Sequence, residues 1–183
     1  CFFHFIYYFI IFLFRNFIFF IFYFISNLSY SNDNNQLLLH ETPKKNEEIF
    51  LLTLSDKTEK LEKNKKPITI INFWATWCPP CIKEIPQLTE IKKMYPDQVN
   101  LIFISMDLNA SVVIPRFLKK NNLSFDEIYK DSSMKLSEQL NVKILPTTLF
   151  LNKNLEEIAK IEGLIDWFEK ENLDFLKKII KNT

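Results

Sequence analysis

Two cysteines, Cys78 and Cys81, form a Cys-Pro-Pro-Cys pair that closely follows an apolar, β-branched stretch from Ile68 to Phe73. A Cys-x-x-Cys pair between a buried strand and a helix is the arrangement that dithiol/disulfide exchange requires. With Cys78 at the N-cap and Pro79 opening the helix, the Cys78 sulfur would face the positive end of the helix dipole and the first free backbone N–H groups. The spacing therefore predicts a stabilised thiolate at Cys78.

The two cysteines are expected to have different roles. Proline has no backbone N–H, so Pro79 and Pro80 leave the amides from Cys81 onward as the first donors to the Cys78 sulfur. Cys81 lies one turn along the helix, close enough to close a small disulfide but shielded by the helix. We therefore predict that Cys78 is the attacking thiol and Cys81 the resolving thiol.

Half of a zinc site and a purely structural disulfide are the alternative uses of such a pair. Zinc would need two further ligands, and the remaining candidates are Cys1, His4 and His40, all in or near an N-terminal apolar segment. The chain has no second Cys-x-x-Cys. We therefore expect neither a metal nor another cofactor at the pair.

Two separated motifs carry a family resemblance. Residues 72–81 read Asn-Phe-Trp-Ala-Thr-Trp-Cys-Pro-Pro-Cys, with Lys-Glu-Ile-Pro at 83–86, and residues 142–150 read Val-Lys-Ile-Leu-Pro-Thr-Thr-Leu-Phe. Together with Gly163 and Trp167 near the C-terminus, these residues resemble the membrane-anchored, thioredoxin-like proteins of the TlpA/ResA type. From Ile49 to the C-terminus, the resemblance implies an α/β thioredoxin-like fold, a central mixed β-sheet flanked by helices.

The resemblance also implies a function, that of a thiol:disulfide oxidoreductase working as a reductase and kept reduced by a membrane thiol-transfer protein. In the family, the clients are cysteine pairs awaiting haem attachment in apocytochromes c, or copper ligation in cytochrome oxidase subunits. Thr147 and Thr148 differ from the Pro-Glu pair of the dedicated cytochrome c branch, which favours the broader TlpA/ResA group.

Substrate contacts are expected from Trp77, Leu145 and Pro146. In the family the proline of the Leu-Pro-Thr-Thr segment is cis and packs beside the disulfide, where backbone groups can pair with an extended substrate segment. Trp77, adjacent to Cys78, is expected to cover the disulfide and contact the partner, whereas Trp74 is expected to pack in the core.

The proton acceptor for Cys81 must come from a different position than in thioredoxin, because Asn72 occupies the strand position at which thioredoxin itself has a buried acid. Glu84, three residues after Cys81 on the same helix, is the best candidate for this base. The alternative interpretation of Glu84 is an exposed helix carboxylate. Asp107, after the second core strand, is assigned no role.

The N-terminal segment has a different character from the rest of the 183-residue chain. Residues 1–25 are nearly all Phe, Ile and Tyr, with Arg15 as their one charged residue, and this length can span a bilayer. We interpret 1–25 as a transmembrane anchor or uncleaved signal segment, 26–48 as a polar tether and 49–183 as the thioredoxin-like domain. The expected location is membrane-anchored, with the domain on the periplasmic (extracytoplasmic) side.

The predicted elements follow the thioredoxin order. The strands are Ile49–Leu54, Ile68–Trp74, Val99–Met106, Thr147–Leu151 and Glu157–Ile161, and the helices are Pro79–Tyr95, Ser111–Asn121, Ser132–Leu140 and Leu164–Lys181. Pro86 is expected to kink the first of these helices. Without Arg15 the net charge of +1 becomes zero, which gives no support for nucleic-acid binding.

Two other functions remain as alternatives. A thiol peroxidase on the same fold would use Cys78 to attack a hydroperoxide, but such sites use a lone cysteine with an arginine, and the arginines here are Arg15 and Arg116. A copper chaperone would use the dithiol as soft ligands, but the pair lacks an evident third ligand.

Overall fold

A computed structural model describes residues 39–63, 66–125 and 127–181 of the chain. The predicted membrane span, 1–25, and the first part of the predicted tether lie outside these residues. Within the described ranges, none of the helices combines the length and the apolar character needed to cross a bilayer.

Eight strands and four helices make up the described part of the chain. The strands are β1 Leu39–Lys44, β2 Phe50–Thr53, β3 Thr58–Lys60, β4 Ile68–Trp74, β5 Val99–Ser105, β6 Ile128–Lys130, β7 Thr147–Asn152 and β8 Glu157–Glu162. The helices are α1 Pro79–Met94, α2 Ala110–Asn121, α3 Lys135–Gln139 and α4 Lys170–Lys181. The strands form one sheet in the order β1-β8-β7-β4-β5-β6-β2-β3.

Strand β4 lies in the middle of the sheet and delivers the chain to the cysteine pair. It pairs in parallel with β5 and antiparallel with β7, so the sheet is mixed, as the sequence predicts. All seven of its residues are buried, because both faces of the sheet are covered. Ile70 packs with side chains from α1, α2 and α4 on one face, whereas Ile71 packs with Leu136 of α3 on the other.

One correction concerns the predicted tether, 26–48. Residues Leu39–Lys44 within it form strand β1, which pairs antiparallel with β8 at the edge of the sheet. The side chains of β1 are exposed or half-buried, so the strand has no apolar alternation that sequence patterns could detect. His40 of β1 instead lies 2.7 Å from the carboxylate of Glu157 on β8.

The final helix also begins later than predicted, at Lys170 instead of Leu164. Asp166 explains the delay, because its side-chain oxygen accepts a hydrogen bond from the backbone N–H of Phe168, 3.0 Å away. Such an Asx turn competes with helix formation. The non-helical segment places Trp167 in the core, fully buried.

The other differences between the predicted and the observed helices and strands are small. Helix α3 is shorter than the predicted Ser132–Leu140, and Met134 before it adopts a left-handed conformation with φ of 61°. Helix α1 continues through Pro86. The short strands β3 and β6 are additional to the predicted elements.

Candidate active site

The cysteine pair sits at the start of α1, as its spacing predicts. Cys78 is the N-cap, Pro79 and Pro80 open the helix, and Cys78 and Cys81 are joined by a disulfide. The amide of Cys81 donates to the Cys78 sulfur across 3.3 Å. Cys78 is 5% exposed and Cys81 is completely buried, so an incoming partner can reach only Cys78.

A groove of about 480 Å³ opens beside Cys78. Its walls come from the cysteine loop, from the segment after β5, from α3 and from the segment before β7. Its lining residues are mostly apolar: Trp77, Cys78, Pro79, Pro80, Met106, Leu108, Ser132, Met134, Ser137, Val142, Lys143, Ile144 and Leu145. Trp77 is 66% exposed and Leu108 is 82% exposed, so this apolar surface is open to a partner.

The predicted substrate-contact residues divide between the groove and the interior. The Leu145–Pro146 peptide bond is cis, as the resemblance implies. Trp77 and Leu145 line the groove, but Pro146 is buried behind them and its carbonyl accepts a hydrogen bond of 2.8 Å from Gly163. Leu145 therefore forms part of the groove wall, and the buried Pro146 next to it does not line the groove.

Glu84 is buried, which excludes the alternative of an exposed helix carboxylate. Its Oε2 accepts a hydrogen bond from Asn72 Nδ2 at 2.9 Å, and its Oε1 accepts one from Trp167 Nε1 at 2.8 Å. Thr148 of β7 completes the surroundings by accepting a second hydrogen bond from Asn72 Nδ2, also at 2.9 Å. The Glu84 carboxyl of helix α1 thus lies against Asn72, the strand position at which thioredoxin itself has a buried acid.

Burial dominates the protonation of Glu84. Removal from water raises the pKa of this carboxyl to about 7, against opposing hydrogen bonds with Trp167, Asn72 and Thr148 that lower it. A carboxyl with a pKa near neutrality can accept and return a proton under ordinary conditions. Because Glu84 is one helical turn beyond Cys81, the two side chains lie on the same face of α1.

Asp107 holds the loop before the cysteine pair, a role that the sequence analysis did not assign. Its carboxylate accepts hydrogen bonds from the Thr76 amide at 3.0 Å, the Thr76 hydroxyl at 2.7 Å and the Ser105 hydroxyl at 2.8 Å. Asp107 is buried, so these bonds replace its hydration. A lone acid directly after a predicted core strand was the available signal.

The geometry also bears on the thiol peroxidase and on metal binding by the cysteine pair. Arg116 is exposed on α2 and does not line the groove beside Cys78, so it does not supply the peroxide-polarising contact. Across residues 39–63, 66–125 and 127–181, no group of three or more His, Cys, Asp and Glu side chains is placed to hold a metal ion.

Comparisons with known proteins show the family of the chain. Residues 43–160 match the AhpC/TSA family. The chain is 34% identical over 132 residues to sporulation thiol-disulfide oxidoreductase A of Bacillus subtilis, covering 67% of this chain and 79% of that protein. It is 30% identical over 132 residues to thiol-disulfide oxidoreductase ResA of Bacillus thuringiensis, covering 71% of this chain and 74% of that protein.

Solved structures give the same result for the fold. The crystal structure of StoA from Bacillus subtilis matches with a TM-score of 0.57 at 28% identity, covering 75% of this chain and 98% of that one. A DsbF homologue from Corynebacterium diphtheriae matches with a TM-score of 0.65 at 23% identity, covering 84% and 97%. The chain therefore belongs to the AhpC/TSA family and is a thiol-disulfide oxidoreductase of the ResA/StoA type with a thioredoxin-like fold.

Proposed function

We propose that this oxidoreductase is tethered to a membrane and reduces disulfides in extracytoplasmic proteins, with Cys78 as the attacking thiol. The observation that carries the proposal is the position of the pair. Cys78 borders an open apolar groove, whereas Cys81 is enclosed and is followed one turn later by the buried carboxyl of Glu84. One cysteine faces the partner and the other faces a proton acceptor.

The proposed reaction proceeds in two displacements. The Cys78 thiolate attacks one sulfur of the client disulfide, so a mixed disulfide forms and the other client sulfur leaves as a thiolate that takes up a proton. Cys81 then transfers its proton to Glu84 and attacks the Cys78 sulfur, releasing the second client sulfur. Two electrons pass to the client, and the Cys78–Cys81 disulfide is left to be reduced again.

The helix N-terminus favours the Cys78 thiolate, but a single N–H donates to its sulfur, and this limited stabilisation supports the reductase direction. Strong oxidants with this fold are those whose reduced form is stabilised. Among the described residues, the Cys78 sulfur has one hydrogen-bond donor, the amide of Cys81, because Pro79 and Pro80 have no N–H. An ionised Glu84 would further disfavour a second negative charge near the pair.

The groove beside Cys78 supports a protein client rather than a small thiol. Its exposed apolar side chains, Trp77 and Leu108 above all, offer the contact area that a polypeptide can cover. We propose cysteine pairs of apocytochromes c or of copper-binding oxidase subunits as clients, and a membrane thiol-transfer protein as the source of electrons. The domain would then face the extracytoplasmic side, attached through residues 1–25.

Reduction of defined clients tests the proposal. The full-length chain in detergent is reduced and mixed with two oxidised peptides, one carrying Cys-x-x-Cys-His and the other the cysteine pair of a copper-binding oxidase subunit. We expect thiols to appear in at least one peptide, and none with Cys78→Ser. Reduction of small disulfides but of neither peptide would show that the client class is wrong. Tight copper(I) binding without any reductase activity would favour the copper chaperone.

Tethering needs its own experiment. In a bacterial host that expresses the full chain, we expect the protein in the membrane fraction and its domain open to protease added to spheroplasts. Recovery in the soluble fraction, or protection until the inner membrane is lysed, would contradict this part of the proposal.

A further inference from the structure

The groove beside Cys78 contains a single charged side chain. Of the described residues that line the groove, only Lys143 carries a charge. Lys143 is exposed, and no carboxylate in the described part of the chain lies within 4 Å of its ammonium group. Lys130, by contrast, lies 2.7 Å from Asp56. The ammonium group of Lys143 is therefore free to pair with a client.

The acids around the groove do not compensate this charge. Asp107 is buried, and its carboxylate accepts hydrogen bonds from the loop before the cysteine pair. Asp131 is also buried, and its carboxylate accepts hydrogen bonds of 3.2 and 2.7 Å from two backbone amides of α3. Neither lines the groove, and neither does the exposed Glu138 of α3. The groove therefore presents positive charge to a client, to which the N-terminus of α1 adds.

The neutral polar groups of the groove already have partners within the chain. The hydroxyl of Ser132 donates to the carbonyl of Asp107 at 2.7 Å, and the hydroxyl of Ser137 donates to the carbonyl of Met134 at 2.9 Å. Neither serine hydroxyl has its proton free for a client. Among the side chains that line the groove, the unengaged polar group is therefore the ammonium of Lys143.

A client segment that covers the groove must accommodate both its apolar surface and this charge. Covering Trp77 and Leu108 removes water from the surroundings of Lys143, and a charge that loses water without gaining a partner is costly. A carboxylate on the client would offset this cost and form a charge-assisted hydrogen bond. A groove of about 480 Å³ has the size of a pocket for a few side chains. The carboxylate must therefore lie close to the client cysteine that Cys78 attacks.

We propose that the groove selects client segments that carry an acidic side chain within a few residues of the disulfide cysteine, and that Lys143 recognises this acid. The inference rests on the proposed reduction of protein disulfides by Cys78. Lys143 takes no part in the exchange of sulfur atoms and acts on specificity alone. The competing role is a solvated one, in which the methylene groups of Lys143 cover apolar surface and its ammonium group stays in water.

Oxidised peptides of one parent sequence test this specificity. Each contains a Cys-x-x-Cys disulfide and carries glutamate, glutamine or lysine at one position near the cysteines, and the position is varied through the series. The reduced full-length chain in detergent is the enzyme. At the best position and at low salt, we expect kcat/KM to be about fivefold higher with glutamate than with lysine, and glutamine to fall between them. In about 1 M salt the difference should shrink to less than about twofold, because the charges are screened.

Reversal of the charge in the groove identifies the residue that reads the acid. Lys143→Glu should invert the preference, so that the lysine peptide becomes the better substrate. The readout is the ratio of two rates with the same enzyme, so any change in the reactivity of Cys78 cancels. Lys135→Glu is the matched control, because Lys135 is an exposed lysine of α3 that does not line the groove. This variant should keep the wild-type ratio.

The possible results separate this inference from the proposed function. Equal rates with the glutamate and lysine peptides would overturn the inference and leave the proposed function standing, because both peptides are reduced. A glutamate preference that survives in Lys143→Glu would also overturn it, and so would an equal gain wherever the glutamate is placed, which would indicate attraction at a distance without contact in the groove. If small disulfides are reduced but none of the peptides is, the proposed function itself is wrong and the inference falls with it.

Discussion

The indole nitrogen of Trp167 donates a 2.8 Å hydrogen bond to Glu84, a residue 83 positions earlier in the chain. Both side chains are completely buried. The backbone amide of Trp167 is held as well, by the side chain of Gln87 on α1 at 2.8 Å. The non-helical segment before α4 is therefore part of the active site, because it fixes the carboxyl group that follows the cysteine pair.

The buried carboxyl of Glu84 should make stability depend on pH. Its pKa is raised from 4.5 to about 7 in the folded protein, so between these values the folded chain keeps a proton that the unfolded chain loses. Stability should be greatest below about pH 4.5 on this account and fall by about 3 kcal/mol as the pH rises to about 7. Urea unfolding of the disulfide form at several pH values measures this fall in the free energy of unfolding.

Glu84→Gln provides the comparison, because a glutamine of nearly the same shape stays neutral at every pH. The fall in stability between about pH 4.5 and about 7 should be absent in this variant or much reduced. Parallel pH profiles for the two proteins would mean that Glu84 titrates near its ordinary value.

Asp107 should control how fast the cysteine pair reacts. Asp107→Ala leaves the Thr76 amide and the Ser105 hydroxyl without their acceptor, at a cost of about 1–3 kcal/mol in unfolding free energy. The loosened loop should also slow attack by Cys78 roughly tenfold, because the reacting sulfur is less well positioned. Stopped-flow mixing with a client disulfide measures the attack.

Asp107→Asn is the matched control, since an asparagine keeps one side-chain oxygen that can accept from Thr76. It should recover most of the lost rate. Attack at the wild-type rate in Asp107→Ala would show that the hydrogen bonds support the fold without positioning Cys78.

The sequence predicted the parts of the site that local chemistry determines. The N-cap position of Cys78 follows from the two prolines and the preceding strand, and the order of β4, α1 and β5 follows from hydrophobic periodicity. These features depend on neighbours within a few residues, and patterns along the chain record them.

Contacts between distant segments were not predictable in the same way. Nothing local indicates that Trp167 reaches Glu84, or that Asp107 reaches Thr76, because each pair meets only when separate elements pack together. Strand β1 was missed for a related reason. It is held at the sheet edge by backbone pairing and by Glu157, with polar side chains that resemble those of a linker.

The apolar groove should matter for proteins and not for small disulfides. We expect Trp77→Ala to lower kcat/KM for a protein client roughly tenfold, because an exposed aromatic ring at such a groove supplies much of the contact energy. The rate with oxidised dithiothreitol should change little. Phe50→Ala removes an exposed aromatic side chain that does not line the groove, and it should alter neither rate. Equal losses with both substrates would indicate that Trp77 acts on Cys78 itself.

Glu157 should hold β1 to the sheet. It is buried and lies within 4 Å of three basic side chains, His40 at 2.7 Å, Lys44 at 3.4 Å and Lys160 at 3.8 Å. Glu157→Ala should lower the unfolding free energy by about 1–3 kcal/mol and open the chain to trypsin at Lys44. Glu162→Ala, on the same strand, is the control. Cleavage at Lys44 that is no faster in Glu157→Ala than in this control would contradict the prediction.

The reduction potential of the Cys78/Cys81 pair tests the central claim most directly. The full-length chain in detergent is equilibrated against glutathione or dithiothreitol buffers, and the fraction of disulfide is measured. A reductase with a weakly stabilised Cys78 thiolate should have a potential near or below about −220 mV. A value near about −120 mV would contradict the account, because it would identify the protein as an oxidant that donates disulfides.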